Sequence, residues 1–398
     1  MTKLCILVST YHPFHSANSR CIANIVENIG DGYEITVIAS DLSGVEPYVV
    51  NGVAVVPNPE KSKLGMVARV SAFKRRACNQ NSMDIKKKNY FLRALKSLKS
   101  VQDIVIPVCF PIESLAAAFE YKKLFGVKVI PYLLDVVSTS ATAHTLDFLK
   151  SVKFNRNVEF ERSIPSKADA VIVNESWCQH FKELNGDYKN IFLLGHPLVA
   201  DVRKGVESGA VKKGVLFYGG ALGKKVRSPD YFLSVMDELL YRNRHLMVQI
   251  CHRGDCGKSV SALQERHPGF SNFGSIKSDL ATALMLQAEF LVLIGNNNTS
   301  QLQSKVFEYV SVGAPIIFFC KEHSDPLLDV LAAYPNALVV FEDEHVSTVV
   351  EKVEDFIVHS SSNVRLPYEK VSEIYHEHTV KYISAEFSSL LAAWVETV

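Results

Sequence analysis

Residues 300–317 read SQLQSKVFEYVSVGAPII and place a short helical pattern between two buried strands. The strand before the helix is the apolar, β-rich run 290–294, and the strand after it is 316–319. Gly313 and Pro315 mark the end of the helix, because glycine accepts the left-handed backbone conformation and proline cannot continue a helix. A strand, a helix and a second strand in this order are typical of a parallel α/β sheet.

Polar residues of this stretch set the start of the helix and its charged pair. Ser300 and Gln303 form a capping-box pattern, so we expect the helix to begin at Ser300. Lys305 and Glu308 lie three residues apart, on a different face from the apolar side chains. In one interpretation they form a surface ion pair, worth about 0.2–0.5 kcal/mol. In the other, the Glu308 carboxylate is a ligand, because it can accept two hydrogen bonds from a vicinal diol.

The pattern Lys-x-x-Glu-Tyr-x-x-x-Gly-x-Pro-Ile-Ile at residues 305–317 resembles the nucleotide-sugar motif of the retaining GT-B glycosyltransferases of family 4, the glycosyl transferases group 1. In that group a glutamate five residues before the glycine binds the ribose of the donor, and the resemblance gives this role to Glu308. A second glutamate, eight residues earlier, contacts the transferred sugar. Ser300 stands at that position here, so we expect Ser300 and the nearby Asn296 to bind sugar hydroxyls instead. This exchange leaves the sugar and the retaining stereochemistry open.

Alternating strand and helix patterns run through both halves of this chain of 398 residues, which is too long for one ordinary core. Continuous apolar strands predict parallel sheets covered on both faces. We expect an acceptor-binding domain at 1–195, a linker at 196–213, a nucleotide-sugar-binding domain at 214–378 and a final helix at 379–398. Two doubly wound, Rossmann-like domains match the GT-B architecture. The resemblance implies that they face each other across a cleft and that the final helix returns to the first domain.

The second domain opens with residues suited to a diphosphate. Gly219 and Gly220 follow a predicted strand, so their amides can approach an anion closely. Arg227 comes next, and its planar guanidinium can bind a phosphate through two nitrogen atoms. The resemblance implies a phosphate-binding cation here, and the alternative is an ordinary loop cation near a tight turn. Lys305, with Ser304 directly before it, is the second donor-binding candidate.

The first domain contributes candidates after two predicted strands. The loop and helix start that follow the first strand resemble the segment that approaches donor and acceptor in the family. We therefore assign His12, Asn18 and Arg20 to acceptor binding. His15 is a catalytic candidate, and a loop histidine without a role is the alternative. Asp135 follows a buried strand and is either a catalytic base for an inverting displacement or an N-cap for the next segment.

Positive charge is concentrated in residues 61–99, which hold twelve Lys or Arg residues against Asp84 alone, although the whole chain has a net charge of +1. Two amphipathic helical patterns carry these charges. Such helices suit an anionic membrane surface, where each cation contributes about 1 kcal/mol. A solvated face on helices that pack inward is the alternative. Nucleic acid is a third interpretation, which we disfavour because no aromatic platform or reader motif accompanies the charge.

The remaining composition is that of a globular protein in a reducing compartment. The chain is 47% hydrophobic and 21% charged, and its start lacks the pattern of a signal peptide. Eight scattered cysteines without a Cys-x-x-Cys motif indicate free thiols and a cytoplasmic location. Cys251, His252 and Cys256 lack a second ligand pair, so we expect no metal.

These features predict a metal-independent hexosyltransferase without a cofactor, since the nucleotide diphosphate sugar is its substrate. The expected acceptor is a saccharide or a lipid-linked saccharide in bacterial surface polysaccharide biosynthesis. We expect a cytoplasmic protein that binds peripherally to the inner face of the cytoplasmic membrane. Two alternatives remain open: a nucleotide-sugar epimerase of the same fold, and a non-catalytic GT-B-like binding or scaffold protein.

Overall fold

The computed structural model describes residues 1–12, 16–43, 45–58, 83–139, 150–184, 188–204, 209–297, 302–360 and 365–395. Two predicted site residues, His15 and Ser300, lie outside these ranges, as do residues 61–82 of the basic segment. The chain divides into two compact units. The first consists of Met1–Leu198 with Glu377–Val398, and the second is Val199–His376.

A mostly parallel sheet forms the centre of the first unit. Its described strands are β1 (Thr2–Val8), β2 (Tyr33–Ser43), β3 (Tyr48–Val50), β4 (Val53–Asn58), β5 (Ile104–Cys109), β6 (Lys128–Val129), β7 (Tyr132–Leu133), β8 (Val171–Val173) and β9 (Ile191–Leu193). They lie in the order β3-β4-β2-β1-β5-β7-β8-β9, with β6 beside β5. The β3–β4 pairing is antiparallel, whereas the other pairings in this list are parallel. Continuous burial along β5 fits a sheet covered on both faces.

Helices alternate with these strands along the chain. The described ones are α1 (Ala17–Val26), α2 (Ile85–Ser97), α3 (Ile112–Phe125), α4 (Lys150–Arg162), α5 (Ile164–Lys167) and α6 (Glu175–Glu183). The sequence predicts a basic amphipathic helix where α2 lies, and its apolar residues Phe91, Leu92 and Leu95 are buried. Residues of α2, α3 and α6 join one hydrophobic core cluster, in which Trp177 is fully buried.

The last helix of the chain belongs to the first unit. After α13 (Tyr368–Ile374) and a 3₁₀ turn, α14 (Val380–Val395) packs near α1. The Ser388 hydroxyl donates to the carbonyl of Ile29 at 3.0 Å, and the rings of Phe387 and Tyr132 lie 6.2 Å apart. Phe387 and Leu391 are fully buried. The first unit is therefore built from two separate parts of the sequence.

A parallel sheet also forms the centre of the second unit. Its strands are β10 (Lys212–Leu222), β11 (Met247–Gly254), β12 (Phe270–Gly274), β13 (Ala288–Ile294), β14 (Ile316–Cys320) and β15 (Ala337–Phe341). The helices around it are α7 (Asp230–Arg242), α8 (Gly257–Arg266), α9 (Ser278–Gln287), α10 (Lys305–Val312), α11 (Leu327–Ala332) and α12 (Val346–Ser360). The strand order is β12-β11-β10-β13-β14-β15, so the winding direction reverses between β10 and β13. Ligands of doubly wound sheets bind at such a point, outside the carboxyl ends of the strands.

The predicted start of α10 is wrong, because the helix begins at Lys305 and residues 302–304 precede it without helical structure. Gln303 does not act as the second half of a capping box. Its side chain is buried and its amide nitrogen donates to the carbonyl of Ile294 at 2.9 Å, which ties the segment before α10 to the end of β13. The predicted end is confirmed, since Gly313 is the C-cap with a φ of 75°. A Cβ atom there would lie 2.2 Å from the carbonyl oxygen of Leu366.

Candidate functional site

Gly219 and Gly220 lie inside β10 and not in a loop after it, so that prediction was wrong. They continue the parallel ladder with β11 beyond Phe217, where the pairing of β10 with β13 ends. At this point the amide of Gly219 donates to the Tyr309 hydroxyl at 2.9 Å. The hydroxyl takes the place of the missing strand partner, which lets β10 extend past β13. The Gly219 amide is therefore bonded within the second unit, and the donor-binding roles of Gly219 and Gly220 stay predictions.

Both glycines are required by what surrounds the strand. A Cβ atom at Gly219 would lie 2.9 Å from the ring of Phe217, and one at Gly220 would lie 2.9 Å from the Tyr218 hydroxyl. The same atom at Gly220 would be 3.5 Å from a terminal nitrogen of Arg227. The guanidinium of Arg227 therefore lies in van der Waals range of the end of β10 at Gly220.

Arg227 is held at the carboxyl end of the sheet by two neighbouring strands. Its Nε and Nη2 atoms donate to Oδ1 of Asn296 at 3.0 and 2.8 Å, and its backbone closes a tight turn with Gly223. The next residue after Asn296 continues the link, because the amide of Asn297 donates to the carbonyl of Val226 at 2.7 Å. Hydrogen bonds thus join the segments after β10 and β13 where the winding direction of the sheet reverses. The half-buried guanidinium of Arg227 lies between them.

The predicted pair of Lys305 and Glu308 is present on the first turn of α10. The ammonium lies 2.7 Å from a carboxylate oxygen of Glu308, and both side chains are partly accessible, at 30% and 18% exposure. The same ammonium lies 5.6 Å from the ring centre of Tyr309, whose hydroxyl holds Gly219. It is also near Cys251 of β11, where it counteracts the burial that raises the pKa of that thiol to about 11. The pair therefore lies at the carboxyl end of β10.

Tyrosine hydroxyls in this region stay protonated. Burial raises the pKa of Tyr309 well above its ordinary value, although the hydrogen bond from Gly219 opposes the shift. Burial also raises the pKa of Tyr218, against the neighbouring positive charge of Arg227. Local negative charge at this edge of the sheet is accordingly carried by carboxylates and not by phenolates.

Sequence reasoning missed Asp325, which the structure brings to the same edge. This carboxylate is only 4% exposed and lies between β14 and the short helix α11. Burial raises its pKa, while the amide of Leu327 and the charge of Arg227 lower it. Asp325 and Arg227 are 98 positions apart in the sequence, so they come close only because of the order of the strands in the sheet. A Pro directly after an Asp predicts a turn and gives no sign of this contact.

The candidates of the first unit form a smaller group. Asn18, in the first turn of α1, donates from its side-chain amide to Asp135 at 3.1 Å and to the carbonyl of Cys109 at 3.3 Å. Asp135 follows β7, is half-buried, and has a raised pKa because of burial, against the hydrogen bond from Asn18. A raised pKa brings a carboxyl group closer to the range where it can take a proton at neutral pH. Asn18 and Asp135 are therefore brought together.

His12 and Arg20 lie on either side of the start of α1. The backbone carbonyl of His12 accepts a hydrogen bond from the Tyr48 hydroxyl, and its ring lies edge-on to Tyr11 at 6.4 Å between ring centres. Arg20 is half-buried within α1. The acceptor roles of both residues stay predictions, and His15 and Ser300 lie outside the described residues.

A buried pair of hydrogen-bonded side chains supports the segment after Asp135. Glu161 of α4 is fully buried, and one of its oxygens accepts the backbone amide of Ser138 at 2.7 Å. Its other oxygen lies 2.8 Å from Nε2 of His180 on α6. Asn157, one turn earlier on α4, is also fully buried, and neither of its amide atoms has a hydrogen-bond partner among the residues that the structure describes. The inner face of α4 is thus polar and joins two helices to the loop that carries Asp135.

Within the described ranges, no three His, Cys, Asp or Glu side chains come together as a metal site would require. Three residues near the end of β11 raised the question of zinc, and all of them are buried: Cys251, His252 and Cys256. Among all residues that the structure describes, no helix combines the length and apolar character needed to span a bilayer.

No protein-family model and no curated protein matches this sequence. Solved structures do match over nearly the full chain. Sucrose-phosphate synthase from Thermosynechococcus elongatus has a TM-score of 0.70 at 9% identity, with 100% of each chain covered. HepE from Anabaena in complex with UDP has a TM-score of 0.61 at 12% identity and covers 98% of this chain and 100% of its own. UDP-GlcNAc 2-epimerase from Neisseria meningitidis bound to UDP-GlcNAc has a TM-score of 0.58 at 9% identity, with 98% and 100% covered.

This likeness confirms the predicted fold class. The chain has the GT-B fold, with two Rossmann-like α/β units. The same fold is shared by glycosyltransferases and by nucleotide-sugar epimerases among these structures. The choice between such activities therefore depends on the site residues.

Proposed function

We propose that the protein is a hexosyltransferase, which transfers a sugar from a nucleotide diphosphate sugar to a saccharide or a lipid-linked saccharide. The observation that carries the proposal is the position of Lys305 and Glu308 at the carboxyl end of β10, beside the strand reversal. Glu308 binds the ribose hydroxyls of the donor, and Arg227 and Lys305 bind its diphosphate. HepE, a structure with the same fold, is described in complex with UDP, which supports a nucleotide at this site.

The proposed reaction is metal-independent and retaining. Cationic side chains near the phosphates stabilise the charge that develops on the leaving diphosphate. In a retaining reaction at the front face of the sugar, that diphosphate can take the proton of the acceptor hydroxyl. Asp135 and its partner Asn18 are then assigned to the acceptor side of the reaction in the first unit. An inverting reaction would instead use Asp135 as the general base.

The test separates a transferase from an epimerase, which the fold also allows. Purified protein is incubated with UDP-, GDP- and ADP-sugars, with and without a bacterial membrane extract as the source of acceptor. A glycosyltransferase releases nucleoside diphosphate and does so faster with the extract. An epimerase changes the configuration of the donor sugar without the extract, and the sugar stays attached to the nucleotide. A nucleotide that binds without either reaction would favour the non-catalytic alternative.

A peripheral contact with the inner face of the cytoplasmic membrane is part of the proposal. The outer side of α2 presents the exposed residues Lys86 and Lys96, and Lys99 follows it. Lys87 and Lys88 instead pair with Asp41 and Glu120, at 2.8 and 2.5 Å. The solvated-face interpretation therefore describes those two lysines. An acceptor on a lipid carrier, as in surface polysaccharide biosynthesis, would require such a membrane contact.

We expect substitution of Lys86, Lys96 and Lys99 by glutamine to weaken binding to vesicles of anionic phospholipid by about 100-fold, since each cation near such a surface contributes about 1 kcal/mol. Vesicle flotation at low salt measures the effect. Glutamine at Lys212, Lys213 and Lys370 removes the same charge from exposed positions of the second unit and serves as the control. Equal losses in both triple variants would mean that only net charge matters and would contradict a specific contact.

A further inference from the structure

Asp325 occupies an unusual place for a carboxylate. It begins the turn into α11, where its Oδ1 atom accepts the amide of Leu327 at 2.9 Å. Its own amide donates to the carbonyl of Glu322 at 2.9 Å. A neutral asparagine would serve this turn equally well, because the turn needs only one acceptor oxygen. The turn therefore uses only one of the two oxygens of the carboxyl group.

The second oxygen, Oδ2, faces the end of β13. A Cβ atom at Gly295 would lie 3.4 Å from it, and Gly295 is fixed by a 2.7 Å hydrogen bond to the carbonyl of Phe319. A Cβ atom at Gly295 would come closer still to the backbone, at 3.0 Å from the amide nitrogen of Lys321 and 3.2 Å from the carbonyl oxygen of Phe319, so this position favours glycine. Oδ2 therefore lies beside the residue that precedes Asn296, the partner of Arg227.

Arg227 connects this carboxylate to the proposed diphosphate site. Its guanidinium is oriented by Asn296 and is near enough to Asp325 to influence the charge of that carboxyl group. A diphosphate bound to Arg227 would therefore lie close to a negative side chain, which is repulsive. A site that must bind a bare nucleotide gains nothing from such a residue. A site that must also bind hydroxyl groups does, because a carboxylate is a strong acceptor for them.

We propose that Asp325 accepts a hydroxyl of the transferred sugar and restricts the donor to uncharged hexoses. This inference rests on the proposed function, since it assumes a nucleotide sugar at the same site. A hexose attached to the diphosphate offers hydroxyl donors within a few ångströms of the phosphates. A hexuronic acid would bring a second carboxylate towards Asp325 and is rejected by like-charge repulsion. The sugar selectivity of the protein is thus assigned to the segment after β14.

The proposal predicts that one substitution changes the affinity for bare nucleotides and the affinity for nucleotide hexoses differently. Asp325→Asn keeps the acceptor for Leu327 and the size of the side chain while it removes the charge. We expect the affinity for UDP or GDP to stay unchanged or to rise by up to about threefold, and the affinity for UDP-glucose or GDP-mannose to fall about tenfold. Discrimination against UDP-glucuronate or GDP-mannuronate should also shrink about tenfold. Calorimetry with these six ligands measures all three quantities.

The controls separate this role from a structural one. Asp329→Asn changes an exposed aspartate on the same helix and should leave every affinity unchanged. A purely structural role of Asp325 would weaken bare and sugar-bearing nucleotides equally and lower the melting temperature, and this result would overturn the inference. So would an unchanged ratio of hexose to uronate affinity in Asp325→Asn. If the unmodified protein binds none of the six ligands, the proposed function itself fails and the inference falls with it.

Discussion

Replacing Glu308 with alanine is expected to lower the affinity for a nucleoside diphosphate by about 100-fold, or ~2.7 kcal/mol, because two hydrogen bonds to a charged acceptor are lost. The side chain is only 18% exposed and is held in place by Lys305, so little conformational freedom opposes its binding to a ribose. Calorimetry with the nucleotide that the unmodified protein binds best provides the measurement. The melting temperature should change little, because an i,i+3 ion pair contributes only about 0.2–0.5 kcal/mol to the helix.

A second ligand shows whether the ribose is the group that Glu308 binds. A 2′,3′-dideoxy nucleoside diphosphate lacks both hydroxyls but keeps the base and the phosphates. We expect the unmodified protein to bind it about 100-fold more weakly than the ribose form, and Glu308→Ala to bind the two forms equally. If the variant still distinguishes the two nucleotides as the unmodified protein does, Glu308 does not bind the ribose.

The chain offers a matched control for this variant. Lys370 and Glu373 on α13 form another i,i+3 pair, 2.8 Å apart, and both side chains are largely exposed. Glu373→Ala therefore removes the same kind of ion pair from an exposed position on a different helix. Its nucleotide affinity should equal that of the unmodified protein, and an equal loss in both variants would indicate a general effect of charge.

Replacing Glu161 with alanine should be the most destabilising of the substitutions considered, at about 3–5 kcal/mol, because it leaves two buried partners without their hydrogen bonds, at about 1–3 kcal/mol each. His180 would lose its carboxylate, and the amide of Ser138 would lose its acceptor. Urea unfolding measures the change in the transition of the first unit. The second unit should unfold as before, since the substituted side chain makes its contacts within the first.

Graded variants make this expectation testable even if the alanine protein is recovered poorly. Glu161→Gln keeps an acceptor oxygen for Ser138 and replaces the oxygen that faces His180 with an amide donor, so we expect a loss of about 1–2 kcal/mol. Glu183 on α6 accepts a bond from Gln179 at 3.1 Å on the exposed face and provides the control, with an expected change within about 0.5 kcal/mol. A loss below about 1 kcal/mol for Glu161→Ala would show that the buried pair contributes little.

Local spacing explains why part of the donor site was predictable. Lys305 and Glu308 lie on one helix, so their contact follows from helical geometry alone. Gly313 ends that helix because of its own backbone preference, which also depends on few neighbours. Asn18 and Asp135 were assigned separately after two strands of one parallel sheet, and the carboxyl ends of such strands lie at one edge.

Contacts between distant segments explain what the sequence did not reveal. Gln303 looked like half of a capping box because its helical spacing suits one, but a buried carbonyl of Ile294 competes for its amide. Gly219 looked like a loop residue because glycine is disfavoured in strands, yet the Tyr309 hydroxyl supplies the missing partner from another element. Asp325 had no local signal at all. Each of these depends on a partner more than five residues away.

The return of α14 to the first unit has a consequence for how the protein is made. Residues 199–376 form one continuous stretch, so the second unit has its whole sequence available before residues 377–395 are made. The first unit lacks Phe387 and Leu391, which are fully buried, until the residues that follow the second unit have left the ribosome. Domains generally fold as units during synthesis, in the order in which they are completed. The unit that is translated first is therefore the one that finishes folding last.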